Sequence, residues 1–384
     1  MKSNDYYTKS KSLHKKLKGK LEIKIKSKIT KKNLPLLYTP GVAEPCREIH
    51  KNNKLVYDYT WKNNTIAIIT NGTAVLGLGN MGPEASLPVM EGKSILFKEF
   101  GNVNAIPIAL NTENADKLIE TVKLLAPSFG GINLEDIKAP ECFYIEEKLI
   151  KELDIPVFHD DQHGTAIVVF AGLINALKLT NKKLEKIKIV INGAGAAGIA
   201  ITKFLLKNKV KDIILCDSKG IIYKNRKGMN AIKKEIANIT NKKQIKGALK
   251  DAIKNADVFI GVSVANILNE EMIKSMNKNP ILFTLANPDP EIKPELARKY
   301  GVKIIATGRS DYPNQINNLL AFPGIFRGTL DARAKKITFK MKQAAAYAIA
   351  NMINKKKLSY DYFIPEATNR KIHQVVANAV KKAV

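Results

Sequence analysis

A β-branched run, Ile187-Lys188-Ile189-Val190-Ile191, feeds into Gly193-Ala194-Gly195-Ala196-Ala197-Gly198, and a helix-forming stretch follows. This strand–loop–helix context separates the G-x-G-x-x-G spacing from a chance glycine turn. Gly193 permits the tight turn, Gly195 lets backbone approach a pyrophosphate, and Gly198 lets the helix pack on the strand. The N-terminus of that helix then faces the phosphate charge. Asp217 ends the next apolar run, where an acid accepts from a ribose 2′-hydroxyl. An acid at that place favours NAD over NADP, and the neighbouring Ser218 and Lys219 soften the preference.

Around this loop the pattern alternates. Strands are expected at 186–191, 212–216, 257–261, 281–286 and 303–307, with helices at 165–179 and from the loop to about 206. Such alternation specifies a doubly wound parallel sheet of Rossmann type. The first half carries strand patterns at 65–70, 95–97 and 106–110 and a helix at 114–125, separated by Gly- and Pro-rich turns. The fold class is therefore α/β in two domains: a smaller α/β domain over 1–157 and the Rossmann domain over 158–384, closed by a long amphipathic helix near 334–354. Residues 1–32 read as a short helix and an extended arm.

Two acidic segments stand out. Gly130-Gly131-Ile132-Asn133-Leu134-Glu135-Asp136 ends in adjacent carboxylates, and His159-Asp160-Asp161-Gln162-His163 places two more between histidines. Both fall at strand ends, where open sheets gather ligands. Three converging carboxylates suit a hard cation, Mg²⁺ or Mn²⁺. His159 and His163, four apart, would suit zinc instead. Asp161 or His163 could also serve simply to cap the helix that follows.

The formal net charge is +28. Lysine supplies nearly all of it, spread along the whole chain, and arginine, the usual reader of base edges, is scarce. No specific nucleic-acid partner is expected. No uninterrupted apolar run approaches the roughly 18 residues of a membrane span, and the first residues lack an apolar stretch behind their lysines. Cys46, Cys142 and Cys216 are widely spaced and in no zinc pattern. The expectation is a soluble cytoplasmic protein.

Taken in order, the motifs resemble those of the malic enzyme family in its short bacterial form. Tyr38-Thr39-Pro40-Gly41-Val42-Ala43-Glu44-Pro45 resembles the family's tyrosine motif and Met90-Glu91-Gly92-Lys93 its lysine motif. Asn133-Leu134-Glu135-Asp136 and Phe158 to Thr165 resemble its metal motifs. The glycine loop, Ala286-Asn287-Pro288 and Asn317-Asn318 complete the set. The resemblance implies oxidative decarboxylation of (S)-malate to pyruvate and CO₂ with NAD, or NADP, and a divalent metal, with oxaloacetate decarboxylation as a side activity. It implies Lys93 as general base, Tyr38 as general acid, and Asp160 beside Lys93. Glu135, Asp136 and Asp161 would bind Mg²⁺ or Mn²⁺. Asn287 and Asn318 would contact substrate and nicotinamide, and a homodimer would exchange its N-terminal arms.

That chemistry is coherent. A base must take the 2-hydroxyl proton as hydride leaves C2, and a buried lysine with a lowered pKa can accept it. A tyrosine hydroxyl can then protonate the enol at C3. One departure is Ala74, which stands where larger animal members carry an arginine, so the second malate carboxylate needs another donor.

Overall fold

The computed structural model describes residues 3–75 and 77–384. The first sheet has four parallel strands in the order β2-β1-β3-β4: β1 Thr65–Thr70, β2 Asn104–Ala109, β3 Gly131–Leu134 and β4 Val157–His159. β1 is buried along its whole length. An isoleucine-rich strand with no polar face needs cover on both sides. Helices Ala115–Leu125 and Glu141–Glu152 cover one face. The other face is covered by helix Pro83–Gly101 together with helices that return from the far end of the chain. There Phe97 packs against Phe322 and Phe326 at ring-centroid distances of 4.7 and 5.3 Å.

The second sheet has the order β10-β9-β8-β5-β6-β7. Its strands are β5 Lys188–Asn192, β6 Asp212–Asp217, β7 Gly220–Ile221, β8 Val258–Gly261, β9 Ile281–Thr284 and β10 Ile304–Thr307. All neighbours pair in parallel except the short edge hairpin β6–β7. β5 has β6 on one side and β8 on the other, so the strand order reverses beside it. The crevice outside the carboxyl ends at such a reversal is where open sheets bind ligands, and the glycine loop leaves β5 there.

Helix Asp160–Thr180 joins the two halves. It starts where β4 ends and runs buried beneath the second sheet. Ile66 and Ile68 of the first sheet share one apolar core with Ile189 and Ile191 of the second. Each such side chain, fully buried, contributes roughly 1.5–3 kcal/mol. By length and composition this helix could cross a membrane, the one such helix among the described residues, but 67% of its apolar window is buried inside the protein. The absence of an uninterrupted apolar run had concealed it.

Three local expectations are corrected. Residues 95–97 form no strand; they lie inside helix Pro83–Gly101. A three-residue apolar run cannot by itself distinguish a strand from a buried helix face. The helix expected at 165 begins five residues earlier, at Asp160, and neither Asp161 nor His163 caps it, because His159 holds the N-cap position. The long closing pattern near 334–354 resolves into helix Phe339–Asn351 with a separate turn before it. Helix Ser3–Leu17 matches the expected short helix, residues 1 and 2 lying outside the described residues, and the segment after it has no regular element before Leu34.

Candidate active site

Lys93 sits in the middle of helix Pro83–Gly101, on the turn that faces the carboxyl ends of β3 and β4. Its Nζ lies 2.5 Å from Asp160 Oδ2 and 2.8 Å from Glu135 Oε1, and 4.2 Å from the centre of the Phe322 ring. The lysine side chain is 11% exposed and Asp160 is wholly buried. Burial alone would pull the ammonium pKa down, but Asp160 and Glu135 outweigh it and hold Lys93 above the ordinary lysine range. The expectation of a lowered pKa is thus reversed: desolvation is present, but two anions override it. Asp160 is held in turn by Asn318, whose Nδ2 donates to Asp160 Oδ2 at 3.1 Å and to the Asp160 carbonyl at 3.3 Å. Thr165 Oγ1 fixes the other end of the Asn318 amide at 3.2 Å.

Glu135 and Asp136 follow β3 directly, and Asp161 occupies the first turn of helix Asp160–Thr180. Ligand oxygens of these three lie within 4.8 Å of one another. Asp136 adopts a left-handed φ of 53°, which bends the chain so that two consecutive acids need not point apart. Its backbone N–H donates to Asp161 Oδ2 at 2.9 Å, and Asn133 Nδ2 donates to Glu135 Oε2 at 2.8 Å. Asp160 and Asp161 diverge because successive helix residues face different directions: the first meets Lys93, the second meets the acids. Burial, reinforced by Asp161, Asp160 and Asp136, holds the Glu135 carboxyl well above its ordinary range despite Lys93. Like charges crowded in this way call for a cation among them.

The zinc arrangement does not form. His163 Nε2 turns to Glu146, 2.8 Å away, and the buried His159 holds its Nδ1 3.8 Å from Asp161 Oδ2, beyond hydrogen-bond distance. Glu146 also accepts the His159 backbone N–H at 3.1 Å. Burial pushes its pKa up, but His163 and nearby Lys342 hold it down at about 2. Glu146 therefore anchors the chain that carries both aspartates.

The glycine loop has the geometry its spacing requires. Gly193 has φ +119°, and a Cβ there would lie 2.6 Å from the Val262 carbonyl oxygen. A Cβ on Gly198 would lie 1.7 Å from the Gly193 carbonyl oxygen. Around Gly195, by contrast, a Cβ would meet nothing within 4 Å. Gly193 and Gly198 are thus closed by protein, Ala196 and Ala197 are half-buried against the apolar cores, and Gly195 alone leaves the helix N-terminus open. Ala194 packs half-buried against the apolar core.

A model of the malic enzyme N-terminal domain matches residues 15–150, and one of the malic enzyme NAD-binding domain matches 162–384. The chain belongs to the malic enzyme family. It is 60% identical to the bifunctional malic/malolactic enzyme of Bacillus subtilis over 97% of this chain and 91% of that one. It is 54% identical to the NAD-dependent malic enzyme of Geobacillus stearothermophilus, over 95% of this chain and 76% of that one. The crystal structure of an NAD-dependent malic enzyme from Thermotoga maritima superposes with a TM-score of 0.94 at 51% identity, covering 97% and 99% of the two chains.

Not every residue of the malic enzyme motifs meets in one chain. Tyr38 is 67% exposed, and its hydroxyl bonds to no described residue of the Lys93 cluster. Asn287 is exposed at the cleft mouth, where its carbonyl oxygen would lie 2.3 Å from a Cβ on Gly77 of the opposite domain. Asn318 holds Asp160, as described above.

Around Asp217 the structure adds partners that no motif announced. The Asp217 carboxylate takes Arg226 Nη1 and Nη2 at 2.9 and 2.5 Å, Lys233 Nζ at 2.6 Å and the Lys219 backbone N–H at 2.9 Å. Burial pushes the Asp217 pKa up, yet Arg226 and Lys233 win and hold it well below the carboxylate range. Neither cation stood in a recognisable motif, since each reaches Asp217 only through folding of the segment after β7. Lys219 contributes its backbone and not its ammonium.

Proposed function

We propose that this member of the malic enzyme family oxidises (S)-malate and decarboxylates it to pyruvate and CO₂, passing hydride to NAD and, less well, to NADP. One observation carries the reading: Lys93 Nζ is clasped between Asp160 at 2.5 Å and Glu135 at 2.8 Å, and Glu135 is also part of the three-carboxylate group. Base and cation site therefore share a wall.

Glu135, Asp136 and Asp161 would hold Mg²⁺ or Mn²⁺; the mutual crowding of their oxygens fits a hard divalent ion. Bound there, such an ion would supply Lewis-acid polarisation of the ketone that drains electrons from the departing carboxylate. To act as base Lys93 must first be the neutral amine. A divalent cation among Glu135, Asp136 and Asp161 would offset the negative charge that holds its ammonium. Its proton would pass to solvent, and Nζ would then take the 2-hydroxyl proton. With Glu135 committed to the cation, Asp160 remains to stabilise the ammonium, and Asn318 keeps Asp160 in place. The open backbone at Gly195 and the N-terminus of helix Ala196–Lys207 fit a pyrophosphate. Asp217, whose two oxygens already take Arg226, Lys233 and the Lys219 N–H, would accept from the ribose 2′-hydroxyl in place of one of these donors, Lys233 being the more exposed of the two cations. This favours NAD; Arg226 and Lys233 beside it temper the repulsion of a 2′-phosphate. Asn287 and Asn318 would meet nicotinamide and substrate.

The acid at C3 is Tyr38, supplied by a second copy of the chain. Tyr38 is exposed in one chain, as are Leu13, Leu17, Ile23, Ile25 and Leu36 around it in sequence. An apolar array of this kind marks an interface, and a homodimer that exchanges its N-terminal arms would cover it and complete each site. Mixing two inactive variants, Tyr38→Phe and Lys93→Ala, tests this. If Tyr38 acts across the dimer, the mixed dimer regains one intact site and activity returns; if it acts within its own chain, the mixture stays inactive. The reaction itself is tested by a malate-dependent assay with each cofactor and each metal. Reduced cofactor should form only when Mg²⁺ or Mn²⁺ is present, and its formation after complete chelation would refute the metal role.

A further inference from the structure

We infer that Glu291 is a positioning residue that ties the two sides of the cofactor cleft together. The inference rests on the reading of the glycine loop and Asn287 as cofactor-binding. Glu291 is fully buried and belongs to no catalytic step. Its Oε1 accepts the Ser263 backbone N–H at 3.2 Å, and its Oε2 accepts the Ala286 backbone N–H at 3.1 Å. Ser263 lies just past the end of β8 and Ala286 just past the end of β9. One carboxylate therefore bridges two adjacent strand-end loops, and one of these leads directly into Asn287.

The first loop also backs the glycine turn. Asn192, the last residue of β5, donates through Nδ2 to Ser263 Oγ at 2.6 Å, and the Val262 carbonyl closes over Gly193. A continuous path runs from the diphosphate turn through Val262 and Ser263 to Glu291, and on to Ala286 and Asn287. The main chain adds two ties, Asn266 N–H to the Pro290 carbonyl and Leu268 N–H to the Glu291 carbonyl, each 3.1 Å. The sequence makes room for the carboxylate: a Cβ on Gly261 would lie 2.2 Å from Glu291 Cδ. Gly261 has no positive φ to explain it, so the space it leaves is its structural role.

A carboxylate accepting two backbone N–H groups cannot be replaced by an amide without turning a donor toward a donor. Glu291→Gln keeps the volume and one bond and opposes the other. The measurement is the dissociation constant of NADH, read by its fluorescence without malate. Glu291→Gln should weaken NADH about tenfold, the scale of one charged hydrogen bond, while the thermal midpoint stays close to wild type. Gly261→Ala should weaken NADH similarly by displacing the carboxylate. Adding Gly261→Ala to Glu291→Ala should cost nothing further, because the methyl then has space. Gly198→Ala separates the two ideas. If it leaves NADH binding intact, the cofactor reading of the loop fails and this inference with it. If it abolishes binding while Glu291→Gln binds NADH like wild type, only the role of Glu291 is overturned.

Discussion

Replacing Asp217 by Asn should change which nicotinamide cofactor the protein prefers, and the structure sets the scale. The Asp217 side chain is 6% exposed and receives three side-chain hydrogen bonds from two cations. Its charge is therefore fixed at any working pH, and the local balance of one anion and two cations is positive. For NAD, the substitution exchanges a charged acceptor of the ribose 2′-hydroxyl for a neutral one. A hydrogen bond to a charged group contributes about 1.5–3 kcal/mol, so kcat/KM for NAD should fall about 10- to 100-fold. For NADP, the repulsive carboxylate disappears while Arg226 and Lys233 remain. One unit charge about 5 Å from a phosphate, at an effective dielectric near 20, is worth roughly 3 kcal/mol before solvent screening. A gain of about tenfold in kcat/KM for NADP is a discounted expectation. The ratio of the two specificities should move by about 10²–10³ toward NADP. Asn keeps one acceptor and turns its NH₂ toward Arg226 or Lys233, which should cost some stability. Folding should survive, because Arg226 Nη1 also donates to the Gly220 and Ile221 carbonyls at 3.2 and 3.1 Å. Steady-state kinetics with both cofactors at saturating malate and metal provide the assay. A ratio that does not move in a folded variant would refute the reasoning, because the 2′ position would then be read elsewhere.

Two further outcomes follow from the buried charges. Lys93→Arg keeps a cation between Asp160 and Glu135 but cannot lose its proton, so kcat should fall about 10²–10⁴-fold while NADH binding and thermal stability persist; a kcat near wild type would remove Lys93 from the role of base. Glu146, held at about 2 against an ordinary 4.5, contributes stability that is present above pH 4.5 and is lost as the pH falls toward 2. The stability difference between wild type and Glu146→Gln, followed by urea denaturation, should therefore shrink across that interval, and a constant difference would contradict the anchoring role of Glu146.

The parts of the site legible in the sequence were those fixed by short-range spacing. The glycine loop could be read because strand, turn and helix lie within a few residues, and the strand rhythm of the second domain could be read because parallel strands buried on both faces are nearly all apolar. Glu135, Asp136, Asp160 and Asp161 were visible as acids at strand ends, but their division of labour was not. Helix Asp160–Thr180 begins at Asp160 and turns its first two acids in different directions, which no propensity foretells. Residues whose roles depend on tertiary approach were silent. Arg226 and Lys233 reach Asp217 from a later turn and helix, Phe322 closes over Lys93 from a distant segment, and Glu291 matters only because Gly261 leaves it a space. The Lys93 ammonium follows the same rule: burial can be foreseen from a motif, but the two carboxylates at Nζ come from other elements.

The most direct test of the central claim is a product balance on the wild-type protein supplied with (S)-malate, NAD and Mn²⁺. A base and an acid cluster that share Glu135 should yield pyruvate and NADH in equal amounts, with neither formed when the metal is chelated. Lactate accumulating without NADH, or NADH accumulating with oxaloacetate in place of pyruvate, would contradict the account.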